Sequence, residues 1–239
     1  MDQQLNEILQ RDPIRSANLR HFAERYGIES SFIARNSVLI RGTSDHTWVY
    51  LMPAGKAEGK LLLDALTPAD HYLVGFDEWL LEALPERFEI EWTLRCRKLV
   101  WPADREPEAP VHPIRPLLLA DAAYLFEHSD YKAYTDIPYI QDQITRGVGG
   151  GIEGPDGNLV AWALTHDDGA IGFLHVLEPF RKLGYGASLT AWMIQRVRER
   201  GGIPFVHIEA KNEKSLHLAR KTGFEPCGEV WWVKGSVRL

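Results

Sequence analysis

The chain has 239 residues, 45% of them apolar and 25% charged, with a formal net charge of −6. This is long enough for one large domain or two small ones with real cores, and its globular composition excludes a disordered chain. The acidic balance argues against a dedicated nucleic-acid binder, which needs clustered lysine and arginine to neutralise phosphates.

The chain opens with an amphipathic helical pattern, "NEILQRDPIRSANLRHFAERYG", with a break expected at Pro13 and a stop at Gly27. "SVLIRG" and "TWVYLMP" follow as short strands at hairpin spacing. "FDEWLLEALPE" reads as a helix and "FEIEWTLRCRKLVWP" as extended chain. No phosphate loop, metal cluster or nucleophile pattern stands out here, so a supporting or substrate-shaping role is expected for this half.

"WPADREPEAPVHPIRP", positions 101–116, holds five prolines among scattered charges. Proline removes backbone donors and blocks both helix and ladder, so this stretch reads as a linker. The expected division is an α/β domain over 1–105, a proline-rich linker over 106–116 and a second domain over 112–239. In that last part "PLLLADAAYLFEH" and "DIPYIQDQITRG" read as helices, and "VAWAL" and "IGFLHVL" as strands joined by the turn "THDDG". Next come a glycine turn and the helix "ASLTAWMIQRVRERGG", with Leu189, Trp192, Met193 and Val197 on one face. "IPFVHIEA", "NEKSLHLARKTGF" and "EPCGEVWWVKG" read as strand, helix and strand. The fold class expected is α/β (α+β), a mixed sheet with helices. No run of about 18 apolar residues predicts a membrane span, and the opening residues hold no apolar signal core. Cys96 and Cys227 lack metal-type spacing, so a reduced cytoplasmic setting with structural thiols is expected.

The stretch "LHVLEPFRKLGYGASL", positions 174–189, carries the sharpest chemistry. A strand ending in a glycine-rich turn that feeds a helix presents main-chain N–H groups without internal partners, at the positive end of the helix dipole. Gly184 and Gly186 leave an anion room to reach those amides, and Arg181 adds full charge; this reads as a diphosphate cradle, with a plain structural turn as the alternative. A nucleoside triphosphate loop is set aside because Ala187 and Ser188, not Lys-Ser/Thr, follow Gly186. A dinucleotide fingerprint is set aside for want of its third glycine.

Arg181-Lys182-Leu183-Gly184-Tyr185-Gly186 matches the R/Q-x-x-G-x-G/A signature of the GNAT acyltransferase superfamily, and the chain resembles that family. A second match, Asn212, Ser215, Lys221, Gly223 and Phe224 in "NEKSLHLARKTGF", lies one helix and one strand further on. "GNLVAWALTHDDGAIGFLHV" and "VHIEAKN" are similar to the glycine N-acyltransferase-like branch, which carries an N-terminal domain like a degenerate copy of the fold. The resemblance implies a GNAT-type sheet with splayed central strands flanked by helices, and acetyl-CoA or another acyl-CoA as co-substrate, without a metal. It implies that backbone groups of Leu174, His175 and Val176 pair with the pantetheine arm, as an added strand would. Arg181, Lys182, Leu183, Gly184, Tyr185, Gly186 and Ala187 would hold the pyrophosphate, and Asn212 and Ser215 would sit near the pantetheine or thioester. The partners implied are a coenzyme A thioester and a small amine, with no nucleic acid or membrane, in a monomer or homodimer.

Acyl transfer to an amine needs a neutral amine, a polarised thioester carbonyl and a proton for the leaving thiolate. An ammonium with a pKa of about 10.4 is mostly charged at neutral pH, so a general base contributes about 10²–10⁴-fold. The glutamate that many relatives carry eleven residues before the loop arginine is here Ala170; the position five residues before the asparagine is His207. Histidine titrates near neutrality, which makes His207 the first candidate base. His175, Glu209 and Asp168 follow, and a solvated strand face would leave His207 inert. The tyrosine that many relatives place seven residues after the asparagine is here Ala219, so the thiolate would take its proton from water. A bulged strand end near Val176 would supply an N–H to the thioester oxygen. Tyr131, Tyr134 and Tyr139 in "HSDYKAYTDIPY" would line an acceptor pocket or pack the core. The function expected is N-acetyl transfer to a small amine or amino acid; the alternatives are a non-catalytic coenzyme A module and a peptide N-acetyltransferase.

Overall fold

The computed structural model describes residues 2–129, 132 and 135–238. In chain order its elements are α1 (Gln3–Arg11), α2 (Ala17–Tyr26), β1 (Ser30–Ala34), β2 (Ser37–Thr43), β3 (Thr47–Met52), α3 (Lys56–Asp64), β4 (Tyr72–Gly75), α4 (Glu78–Ala83) and β5 (Phe88–Val100). There follow β6 (Arg115–Pro116), α5 (Ala122–Glu127), α6 (Ile137–Arg146), β7 (Gly149–Glu153), β8 (Leu159–Thr165), β9 (Ile171–Val176), α7 (Tyr185–Glu199), β10 (Phe205–Glu209), α8 (Glu213–Thr222) and β11 (Glu225–Val237). The mixed α/β class expected from the sequence is borne out. The compact units do not follow chain order: residues up to 98, 207–213 and those from 226 on form the first, and 99–206 with 214–225 the second.

The first unit is built on a sheet ordered β1-β2-β3-β4-β11-β5-β10. β2 and β3 form the expected hairpin, from Val38 opposite Met52 to Thr43 opposite Thr47. β4 lies parallel to β3, and β11 runs antiparallel to β4 with Trp231 opposite Gly75. Trp231 fills the space that a Cβ on Gly75 would take, so the glycine admits the indole. Leu5, Ile8 and Leu9 recur at helical spacing on α1 and are buried. The helix stops short of Pro13 and α2 ends at Gly27, whose φ is +84°. Lys98, buried, closes the gap between the helices: its Nζ donates to Ile14 O at 2.8 Å, Arg15 O at 3.0 Å and Asn18 Oδ1 at 3.1 Å. These bonds solvate an ammonium that burial would otherwise make costly. Cys96 and Cys227 form no disulfide, and burial pushes the Cys227 thiol up, which favours its protonated form.

The second unit holds the antiparallel sheet β6-β7-β8-β9. Its glycine triplet, Gly149 to Gly151, is a packing device. A Cβ on Gly150 would fall 2.7 Å from Trp192 of α7, whereas one on Gly149 or Gly151 would press on Leu164, Leu117 or Leu159. Side chains alternate across a strand, so α7 covers one face of this sheet. The other face carries Leu117, Leu159, Trp162 and Leu164 with Leu125 of α5 and Ile140 of α6.

A buried ion pair in the first unit gives a direct test of its packing. Arg41 donates from Nε and Nη2 to the two oxygens of Asp70, each at 2.7 Å, and Thr67 N adds a third bond at 2.7 Å. Burial pushes the Asp70 carboxyl up, but the hydrogen bonds from Arg41 and Thr67 outweigh it and hold the group below its ordinary 3.8. A lowered carboxylate stabilises the fold above its unfolded pKa, and that contribution is lost as pH falls through the folded value. Asp70→Asn leaves Arg41 without its partner and is expected to cost about 3 kcal/mol at neutral pH. Denaturant unfolding measures it, and the gap from the parent protein narrows as pH drops below the carboxylate range.

Candidate functional site

The glycine turn lies in the second unit, between β9 and α7. After a single 3-10 turn over Glu178–Phe180, the backbone takes a left-handed conformation at Lys182 (φ +64°) and again at Gly184 (φ +85°). Gly184 is the N-cap of α7 and offers no side chain to the helix end. Ser188 N is the first to close back, onto Gly184 O at 3.0 Å, so the amides of Tyr185, Gly186 and Ala187 have no intrahelical acceptor. α7 runs 15 residues, which adds the full end-charge of a helix dipole behind these amides.

The two glycines differ in what requires them. Gly184 is demanded by its φ, which a side chain resists. Gly186 is helical, and a Cβ there would meet only Leu218 at 3.5 Å and Val176 at 4.0 Å, ordinary contact. Nothing in the protein's own packing or backbone asks for glycine at 186. The room beside it fits a ligand that comes close to the main chain.

Arg181 is exposed, and its Nε donates to Val176 O at 3.0 Å. That bond holds the end of β9 and leaves the guanidinium charge at the turn. It also uses the carbonyl of one of the residues expected to pair with a pantetheine arm. β9 is the outermost strand in its sheet order and has β8 on one side alone among the described residues. Phe173 has φ +48°, and the β8–β9 register breaks there, with two residues of β9 opposite one of β8. This is a β-bulge, which bends the strand and breaks the ladder. The expected bulge near Val176 thus lies at Phe173–Leu174 instead, because Trp162 opposite His175 and Ala161 opposite Val176 keep the strand end in register.

His175 lies flat on Trp162, ring centroids 4.8 Å apart and planes at 19°. Tyr124 and His128, one helical turn apart, extend this aromatic layer: their rings stack at 4.1 Å, and His128 meets Trp162 edge-on at 6.4 Å. Asp168 is buried in the turn that precedes β9, where its Oδ1 accepts from Ala170 N at 3.0 Å. It therefore stands at the far end of β9 from the glycine turn. Ser215 lies in the first turn of α8, and Gly223 ends that helix with φ +110°. Arg105 binds Gly223 O and Glu225, while Phe224 packs edge-on against Trp101 at 5.5 Å. The Gly-Phe pair of the second motif is thus structural.

His207, Glu209 and Asn212 lie in the first unit. His207 is half-buried on β10, with Trp232 edge-on at 5.1 Å. Glu209 pairs with Lys211 at 2.9 Å, and Asn212 N bonds Glu209 O at 2.9 Å just before α8. Tyr139 donates to Asp167 at 3.3 Å, whereas Tyr131 and Tyr134 lie outside the described residues. Sequence reasoning passed over His112, which reaches the turn from the proline-rich stretch, and the pair Tyr124–His128. The i, i+4 spacing of that pair was the one available signal.

Residues 149–233 match the model of the FR47-like protein family, which is GNAT-related. Over 99 residues the chain is 27% identical to human glycine N-acyltransferase-like protein 2, a match that covers 40% of this chain and 33% of that protein. The X-ray structure of a Drosophila protein superposes with a TM-score of 0.77 at 20% identity, over 98% of this chain and 96% of the other. A GCN5-related N-acetyltransferase from Kribbella flavida superposes at 0.60 with 18% identity, covering 93% and 94%. A tandem GNAT protein from the clavulanic acid biosynthesis pathway superposes at 0.52 with 10% identity, covering 92% and 87%. The chain has the GNAT fold. The GNAT resemblance drawn from the glycine turn and the Asn212 segment is borne out, and a glycine N-acyltransferase-like protein is among the relatives to which the chain is similar. Among the described residues of this GNAT-fold chain, no helix is long and apolar enough to cross a membrane.

The contrast between the two glycines is measurable without any ligand. Gly184→Ala forces a side chain into left-handed backbone and is expected to cost about 1–2 kcal/mol. Gly186→Ala is expected to hold or raise stability, by up to about 1 kcal/mol, since the position is helical and open. Paired denaturant titrations read both.

Proposed function

We propose that this chain is an acyl-CoA-dependent N-acyltransferase that transfers an acetyl group to the amine of a small molecule or amino acid, by direct attack in a ternary complex. The observation that carries the reading is the glycine turn: among the described residues the amides of Tyr185, Gly186 and Ala187 have no intrahelical acceptor, Arg181 and Lys182 stand in the turn, and Gly186 has room where a Cβ would be. A diphosphate matches that donor set, since its oxygens accept and its charge is opposite. The outer edge of β9 suits an extended, amide-bearing arm laid along it, because an edge strand presents unpaired N–H and C=O groups. Leu174 and His175 would give that arm its main-chain partners, and Asn212 and Ser215, by their sequence match, would stand near the thioester.

Acyl-CoA, when bound, supplies a thioester carbonyl open to attack. The chain's part is to orient it and to handle protons. We assign proton removal from the ammonium to the imidazole of His207, on its register five residues before Asn212. Glu209 pairs with Lys211 at 2.9 Å and Asp168 accepts from Ala170 N within its turn, so neither is assigned the proton transfer in this reading. His175, pressed on Trp162, is assigned to main-chain pairing and packing. The leaving thiolate, with a pKa of about 8.5, takes its proton from water.

Two measurements test this. Calorimetry is expected to show coenzyme A binding to the parent chain, weakened at least about tenfold in Gly186→Ala with no loss of stability, since each tenfold is only about 1.4 kcal/mol. Thiol release from acetyl-CoA across a panel of amines is expected to show turnover, with His207→Ala lowering kcat/KM about 10²-fold and removing the acidic limb of its pH profile. Tight binding with no turnover on any amine would instead favour a coenzyme A-binding module, the reading that Ala170 and Ala219 suggest.

A further inference from the structure

The proline-rich stretch does more than separate elements. His112 Nε2 lies 2.8 Å from Leu183 O, and its ring meets Tyr185 edge-on, centroids 4.4 Å apart at 83°. The residue before it is tied as well, with Val111 N donating to Ser188 Oγ at 3.1 Å. The residue after it is Pro113, which restricts His112 to extended backbone. Because a carbonyl oxygen can only accept, Nε2 is the nitrogen that carries the proton. That nitrogen is a donor in the neutral and the protonated ring alike.

A planar trans peptide holds its C=O and N–H on opposite sides. Fixing Leu183 O therefore fixes the direction of Gly184 N–H, the amide just before the bare set at the helix mouth. The two torsions that turn this peptide plane are Leu183 ψ and Gly184 φ, and Gly184, left-handed and without a side chain, imposes almost no steric barrier to that rotation. A flipped plane would put the carbonyl where the amide was, and a carbonyl repels an anion.

We infer that His112 is a positioning residue for the diphosphate: it pins the Leu183–Gly184 peptide so that Gly184 N–H joins the amides of Tyr185, Gly186 and Ala187. The inference rests on the proposed coenzyme A reading and adds a residue to it. It makes a distinction between donors. A donor with a diphosphate feels the pinned peptide; one that ends at the pantetheine arm does not.

The test compares acetyl-CoA with S-acetylpantetheine, which lacks diphosphate and nucleotide, as donors for the full-length chain. His112→Ala is expected to raise KM for acetyl-CoA roughly tenfold, the effect of one charge-assisted hydrogen bond, with kcat unchanged. The kcat/KM for S-acetylpantetheine stays at the parent value. His112→Gln, whose amide restores a donor, recovers most of the loss. His112→Phe, which keeps the ring against Tyr185 but has no donor, behaves like His112→Ala, and it decides the matter should the alanine variant fail to fold. An unchanged KM for acetyl-CoA in the phenylalanine variant overturns the inference, as does an equal loss with both donors. Failure of the parent chain to bind coenzyme A overturns the underlying reading as well, and calorimetry on the parent separates the two.

Discussion

The site in the second unit depends on one backbone manoeuvre: two left-handed residues, Lys182 and Gly184, turn the end of β9 into the start of α7. A right-handed path would begin the helix sooner and bury its first amides under the chain that enters it. The left-handed step opens a helix in which, among the described residues, the amides of Tyr185 to Ala187 have no intrahelical acceptor, with the dipole of 15 residues behind them. Lys182 takes this conformation without being glycine, at a strain cost of about 1–2 kcal/mol. Arg181 on Val176 O and His112 on Leu183 O brace the turn from either side. The turn is thus a strained, propped structure, and the surrounding sheet is what permits it.

The first unit contains a strand-to-helix step of its own, from β3 to α3, and it is built to different ends. Gly55 precedes α3 with an extended φ of −168°, so no left-handed residue opens the helix mouth. Glu58 sits in the first turn, its Oε2 3.1 Å from where a Cβ on Gly55 would stand, and Arg35 pairs with it at 3.3 Å. A carboxylate in the first turn interacts favourably with the helix dipole and repels an external anion. Two turns joining a strand to a helix thus differ in chemistry through one acidic side chain and one backbone angle.

Much of this was legible in the sequence because the signals were local. The glycine turn, the α7 face of Leu189, Trp192, Met193 and Val197, the break at Pro13 and the β2–β3 hairpin each follow from residues a few positions apart. What stayed hidden was long-range. β11 reads as the last strand of the second half, yet it pairs between β4 and β5 of the first unit, and a strand's own pattern does not say which neighbour it takes. β1, α3 and β4 went unread because they are short or carry Gly59, whose missing side chain is explained by Trp79 lying over it. His112 was invisible for a related reason. A histidine in a proline-rich linker signals solvent, and only the folded chain brings it to a carbonyl 71 residues away.

The central claim is that coenzyme A is held by main-chain amides at the mouth of α7. The most direct measurement is a titration of the ¹⁵N-labelled chain with coenzyme A, followed through the backbone amide resonances. The account predicts that Gly184, Tyr185, Gly186 and Ala187 give the largest downfield proton shifts, as expected for N–H groups that gain charged acceptors. Binding that leaves these four resonances in place while moving others would contradict it.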